Sequence, residues 1–475
     1  MKRIFLSMCL IMAACLAGKA NNLKIENITF DQAGGTLSFD ISWENSWNMS
    51  ADYHDAVWVF AKYKASNSNQ WKPIVFDDGN GNLASISGTD LEFRTKEVGF
   101  IVKSAVIMSN QNDISATTVT ISGLSIEGIN PSVMVFGTEM VYVPQGDYYV
   151  GDGSNSNESF STPTDFAPVL IEQNTSEIFF RSGSSGNTID FGTVYPNGYE
   201  DFYSMKYEIT QGQMVDFFNS LNQDQQFRLT TFNFVNSFKY PLALSNTVVD
   251  RMGIAFIENN TDSTVASVFG MDLNNNGIFN EADDGATLAC NFISTEYISM
   301  YLKWAGLRPM SEMEYEKACR GSEQPVRNEL AIGSAFFQSL NPDMITNPGS
   351  SNEINSSGNL NLESGNSGPM RVGFSAPADA SRLSSGNSFY GIANLSDNLA
   401  EYTISVESLN FNGATHGDGL FTGLVSTGWT SSIIYRGGSF KSYDGVTRTG
   451  TVSNRSNVAF GEVSAIGGRG VVSFD

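Results

Sequence analysis

Trp304-Ala305-Gly306-Leu307-Arg308-Pro309-Met310-Ser311-Glu312-Met313-Glu314-Tyr315-Glu316-Lys317-Ala318-Cys319-Arg320-Gly321 carries three helix boundaries in one run. A helix from about Ser294 to Trp304 stops at Gly306, since glycine takes the left-handed conformation at a helix end without a Cβ penalty. The next begins at Ser311, with Glu314 three residues on as a capping box, and runs to about Cys319 before Gly321 ends it. Further upstream, Met214, Val215, Phe217, Phe218 and Leu221 recur near the helical period, and the Thr210 hydroxyl is placed to cap that helix. These helices sit in a chain otherwise made of short strands and polar loops, which is an α+β pattern.

The strands gather toward the N-terminus. Thr36-Leu37-Ser38-Phe39-Asp40-Ile41 alternates apolar and polar, Leu23 to Ile28 does so in part, and Ala56-Val57-Trp58-Val59-Phe60-Ala61 is a continuous apolar run. Val98 to Val102 and Thr117 to Ile121 follow, separated by turns rich in Gly, Asn and Asp such as residues 77–82. Short strands at this spacing predict a β-sandwich. From Met134 the character changes. Met140 to Val143 is a strand, Pro144-Gln145-Gly146 a turn and Tyr148 to Gly151 a second strand. Asp152 to Pro196 reads as elaborated loops, and Phe202 to Ile209 as a strand ending at Thr210. Asn, Ser and Gly dominate residues 346–369, and strands return near Ile433–Tyr435 and Gly470–Phe474.

With 475 residues, the chain is longer than one typical domain of about 100–200 residues. Its net charge is −23 with only 27 Lys and Arg, which excludes a nucleic-acid partner, because phosphate binding needs clustered positive charge. His54 and His416 are the only two histidines, too few for a histidine-built metal centre or a Ser-His-Asp triad. Met1-Lys2-Arg3, the apolar run Ile4 to Leu16 and the small residues before Asn21 form a signal-peptide pattern, so the protein is expected to be exported. Gly18-Lys19-Ala20 suits signal peptidase, whereas Met12-Ala13-Ala14-Cys15 reads as a lipobox that would leave a lipid on Cys15. No later stretch matches the roughly 20 apolar residues of a membrane span, so no transmembrane segment is expected in the mature chain. Of four cysteines, Cys290 and Cys319 surely remain after export; spacing leaves a disulfide between them open.

Five segments in order resemble the formylglycine-generating enzyme (sulfatase-modifying factor) family. They are Met140 to Gly146, Tyr207-Glu208-Ile209-Thr210, Trp304 to Pro309 running into Glu314 to Gly321, Tyr390 to Tyr402, and Arg436-Gly437-Gly438-Ser439-Phe440. The resemblance implies a C-type-lectin-like fold with little regular secondary structure. Residues 1–20 are then the signal peptide, 21–133 the β-sandwich, and 134–475 the family-like domain, with insertions at about 152–200 and 227–288. The family's oxidases hold copper(I) with two cysteines after the Arg-Gly-Gly-Ser turn. Here those positions fall on Ser442 and Thr447, and hydroxyls do not hold a soft cation. The resemblance thus implies no copper and no oxidase chemistry. It also implies a structural calcium ion held by the side chains of Asn394 and Glu401 and the carbonyls of Asp397 and Leu399. A second family calcium site falls in residues 355–363.

Independently of that resemblance, Asp272 to Asp283 fits a twelve-residue calcium loop. Side-chain oxygens come from Asp272, Asn274, Asn276 and Asn280, the carbonyl of Ile278 stands at the seventh place, Gly277 makes the turn and Asp283 closes the loop. The alternative there is a solvated Asn/Gly turn. These features predict an exported, non-catalytic binding or surface-display protein with structural calcium, whose partner is an extracellular protein or glycan. Phe411, His416, Phe421 and Trp429, in the loop-rich stretch Asn410 to Thr430, either contact that ligand or fill the core. The alternative function is a formylglycine-generating oxidase or another enzyme acting on exported proteins.

Overall fold

The computed structural model describes residues 22–77, 79, 83–154, 159–182, 185–229, 238–260, 265–375, 381–421, 428–430, 432–441, 450–455 and 463–474. The expected signal peptide, with Cys9 and Cys15, lies outside these residues, and so do Ser442 and Thr447. The chain is a β-rich α+β protein. Its first ten strands are β1 (Lys24–Asp31), β2 (Thr36–Ser46), β3 (Asn48–Ser50), β4 (Tyr53–Lys64), β5 (Lys72–Pro73), β6 (Ser85–Ser87), β7 (Leu91–Lys96), β8 (Gly99–Ser104), β9 (Asn112–Ser122) and β10 (Ser132–Val143). The main helices are α1 (Gln211–Asn219), α2 (Gln223–Arg228), α3 (Thr295–Ala305) and α4 (Glu312–Arg320).

The continuous apolar run in β4 is explained by two buried faces. A four-stranded sheet in the order β1-β2-β9-β6 lies against one face of a nine-stranded sheet. Val57, Val59 and Ala61 of β4 join Leu37, Phe39, Ile41 and Val119 in the layer between the sheets. Ala56, Trp58 and Phe60 point the other way and pack with Phe217 of α1 and Trp304 of α3. Side chains alternate faces along a strand, so a strand covered on both sides shows no polar alternation. On the helix side the Trp58 indole N–H donates to the Ala305 carbonyl (2.8 Å) at the C-terminus of α3. There Gly306 takes the left-handed conformation (φ 74°) as the cap.

β10 belongs to both halves of the chain. Ser132 to Val141 pair antiparallel with β4, from Lys64 back to Asp55. Met140 to Val143 pair with the strand Phe202–Met205. The same sheet continues through Gly470–Val472 to Arg308–Pro309. The division expected between residues 133 and 134 therefore falls within a strand. The strand read over Phe202 to Ile209 ends at Met205, because the Arg469 guanidinium takes the carbonyls of Met205 and Lys206, each at 3.1 Å, away from the ladder. The stretch read as loops after Asp152 contains the hairpin Glu177–Ser182 with Ser185–Asp190. Among the described residues, no helix is long and apolar enough to cross a membrane.

Candidate functional site

α4 has the composition of a solvent helix, yet every one of its residues is buried. Its three glutamates each meet arginine. Glu314 accepts two hydrogen bonds from Arg308 (2.7 and 2.8 Å) and closes the capping box on the Ser311 N–H. Glu312 accepts from Arg436 (2.9 Å) and twice from Arg455 (2.6 and 2.8 Å). Glu316 accepts from Arg320 (2.6 Å), the Gly151 N–H (2.8 Å) and Arg436. Burial raises the Glu312 pKa, but the Arg455 and Arg436 guanidiniums outweigh it and hold the carboxyl below its ordinary range. Charges taken out of water persist only when paired and hydrogen-bonded. This network fixes Arg436, and with it the Gly437-Gly438-Ser439 turn, against α4.

A second buried group surrounds the segment from Asn394 to Glu401. The Asn394 amide oxygen accepts from the Gly373 N–H (3.1 Å), and its amide nitrogen donates to Asp397 (3.1 Å). Asp397 also accepts from the Asn361 N–H (2.6 Å). Glu208 accepts from the Leu399 N–H (3.0 Å) and the Asn398 amide (2.7 Å). Glu401 is clamped by Arg469 through two bonds of 2.6 Å. Burial pushes Asp397 up to about 7 and raises Glu401; Glu208, raised by burial and then by the Glu401 charge, lies well above its ordinary range. The two side chains implied as calcium ligands are thus engaged separately, the Asn394 oxygen by the Gly373 N–H and the Glu401 carboxylate by the Arg469 guanidinium. As placed here, neither side chain is free to hold a calcium ion.

In the loop Asp272 to Asp283 the entry residues are likewise engaged. Asp272, wholly buried, accepts from the Asn276 N–H (3.0 Å), the Gly277 N–H (3.2 Å) and Lys239 (2.5 Å). Asn274 accepts from the Asn276 N–H (3.0 Å), and Asn276 from the Ile278 N–H (2.7 Å). Among the described residues, an acidic grouping that could hold a metal lies at the loop exit and joins Asp283 to Glu281 and Asp284. The twelve-place pattern assigned no ligand role to Glu281 and ended one residue before Asp284.

The aromatic residues between Asn410 and Thr430 fill the core: Phe411, Phe421 and Trp429 are all buried. His416 accepts from the Ser473 N–H (3.0 Å); burial, then the charges of Arg308 and Lys96, hold its pKa well below the ordinary value. His54 packs on Tyr142 (4.7 Å between ring centroids) and meets the Tyr203 hydroxyl (3.1 Å). Cys290 and Cys319 are both free and buried, in separate apolar clusters. Burial raises both thiols, Cys319 to about 12, so neither is a ready thiolate.

A cleft of about 770 Å³ opens beside the Arg308–Glu314 pair. Its walls come from Asn174 and Thr175, from Asn197 and Asp201, and from Asn412. It therefore combines the expected insertion at 152–200 with the stretch after Asn410. The sequence held no signal for this surface, because its residues are scattered polar loop positions.

No family model and no curated protein matches the chain. A solved structure described as "pH-induced modulation of Streptococcus parasanguinis adhesion by Fap1 fimbriae" is 12% identical to it, covering 36% of this chain and 89% of that one. The TM-score is 0.12, too low to carry an argument about fold or function.

Proposed function

We propose that this is an exported, non-catalytic binding or display protein. In this reading an N-terminal β-sandwich leads into a C-type-lectin-like domain of the formylglycine-generating enzyme type. The observation that carries it is the cleft between Asn174, Asn197 and Asn412. Amide and carboxylate side chains on loops, backed by a helix with its charges locked in place, suit hydrogen bonding to a hydroxyl-rich ligand. A glycan on an extracellular partner has that chemistry. The oxidase alternative requires accessible thiolates, and the buried, raised thiols of Cys290 and Cys319 do not support it.

The test is a glycan and peptide array probed with the full chain and with Asn174→Trp. Asn174 is exposed, so the indole fills the cleft without disturbing the core. Binding that the variant loses supports the reading. Binding that it keeps unchanged, or copper-dependent formylglycine formation in a Cys-containing sulfatase peptide, refutes it.

A further inference from the structure

The acidic grouping at the exit of the Asp272–Asp283 loop has no part in the cleft or in the α4 network. One carboxylate oxygen each of Glu281, Asp283 and Asp284 lies within 4.8 Å of the others. Asp284 is wholly buried. Its Oδ2 accepts from the Glu281 N–H (2.8 Å), but its Oδ1 has no hydrogen-bond partner among the described residues. A buried carboxylate oxygen left without a donor is costly, and a charge in that position is normally paired or bound to a metal. The nearby cation is already used: Lys239 binds Asp272 (2.5 Å) and Asn275 (2.7 Å). Glu281 is held at the loop mouth by the amides of Asn274 (3.3 Å) and Asn276 (2.6 Å).

The geometry points to a divalent-cation site of the calcium class held by Glu281, Asp283 and Asp284, at the exit of the loop rather than at its Asp272, Asn274 and Asn276 entry. The donors are all hard carboxylate oxygens, with no thiolate or imidazole, which suits calcium or magnesium and not zinc or copper(I). They sit on an Asn- and Gly-rich loop in which Asn275, Gly277 and Asn280 all have positive φ. Calcium accepts an irregular shell of several protein oxygens, whereas magnesium demands a near-ideal octahedron. Asp284 directly precedes Gly285, whose N–H donates to the Gly349 carbonyl (2.9 Å). An ion here pins the insertion to the segment 347–353. This inference is independent of the proposed ligand cleft.

The full chain, freed of metal by chelation, is titrated with calcium by calorimetry and with terbium, whose luminescence Tyr240 can sensitise because its hydroxyl donates to the Asp272 carbonyl (2.8 Å). The wild type is expected to bind calcium. Asp284→Asn and Glu281→Gln should each weaken binding by at least about tenfold, since even outer partners of a metal site are worth 10–100-fold. In chelator, Asp284→Asn should melt at or above the wild-type temperature, because it removes an unpaired buried charge; in calcium it should lose the wild-type increment. Asp283→Asn, at an exposed position, decides the matter if the Asp284 variant does not fold, and it too should weaken binding. Absence of calcium heat and terbium signal in the wild type overturns the site. So does unchanged affinity in the variants, or binding of magnesium in place of calcium.

Discussion

Glu312 and Arg455 stand 143 residues apart in the chain and meet through two hydrogen bonds of 2.6 and 2.8 Å, in a place where water reaches neither side chain. Arg436 binds the same carboxylate from 124 residues away. Removing the acid takes a carboxylate from two buried guanidiniums, of which Arg436 keeps Glu316, so Glu312→Ala is expected to cost about 3–5 kcal/mol in urea unfolding. Glu323→Ala breaks the exposed pair with Arg382 and should change stability by about 1 kcal/mol or less. Equal effects of the two substitutions would show that the α4 network is not the keystone of this half of the chain.

His54 supplies the acid-side prediction. Burial, then the Lys103 charge, lowers its pKa from 6.5 to about 4. Between those values the unfolded chain binds a proton that the folded chain refuses. The His54 contribution is therefore fully present above pH 6.5 and is lost as pH falls toward 4, amounting to roughly 3 kcal/mol at most. Asp55 and Asp397, both raised to about 7 by burial, act with the opposite sign over the same range. The difference between wild type and His54→Phe isolates the histidine: the variant, which keeps the stack on Tyr142, should lose less stability between pH 6.5 and 4. Parallel profiles would assign the acid limb to other groups.

Glu401→Ala is expected to lower the melting temperature by the same amount in calcium and in chelator, because what it breaks is the buried pair with Arg469. Its cost should be about 3–5 kcal/mol. A loss confined to calcium-containing buffer would make Glu401 a metal ligand and would require the Arg469 clamp to open.

Gly99 of β8 tests how the sheet is seated on α3. A Cβ at this position would lie 2.2 Å from the Trp58 ring, whose N–H holds the Ala305 carbonyl. Gly99→Ala must displace that ring, and overpacking of this kind costs about 1–3 kcal/mol. The same variant should change near-ultraviolet circular dichroism through the tryptophan. A neutral substitution with an unchanged spectrum would mean that the ring has room to move.

What the sequence made legible is what local chemistry controls. The Ser311–Glu314 capping box, the Thr210 cap and the Gly306 stop all stand where the spacing placed them. Capping is decided within four residues and needs no tertiary information. α4 was legible as a helix and illegible as a buried one, because Glu312, Glu314 and Glu316 find their arginines only through folding. The hairpin at 177–190 is not legible in the sequence, because Ile178 and Phe180 are too brief an alternation to stand out from Ser and Gly. At the acidic loop, composition locates the oxygen-rich segment, but the twelve-place pattern falls on side chains that backbone N–H groups already engage. Asp284 lay one place beyond the template.

The shared strand β10 sets a limit on how this protein can be taken apart. Along Met140 and Val141 it is hydrogen-bonded on one side to β4 and on the other to Phe202–Met205. Excising either half leaves the remaining piece with a long uncovered strand edge, which is a template for pairing with another chain. The front half is therefore not a cassette that recombination or cloning can swap at residue 133. A viable breakpoint has to carry β10 and its partners on both sides together.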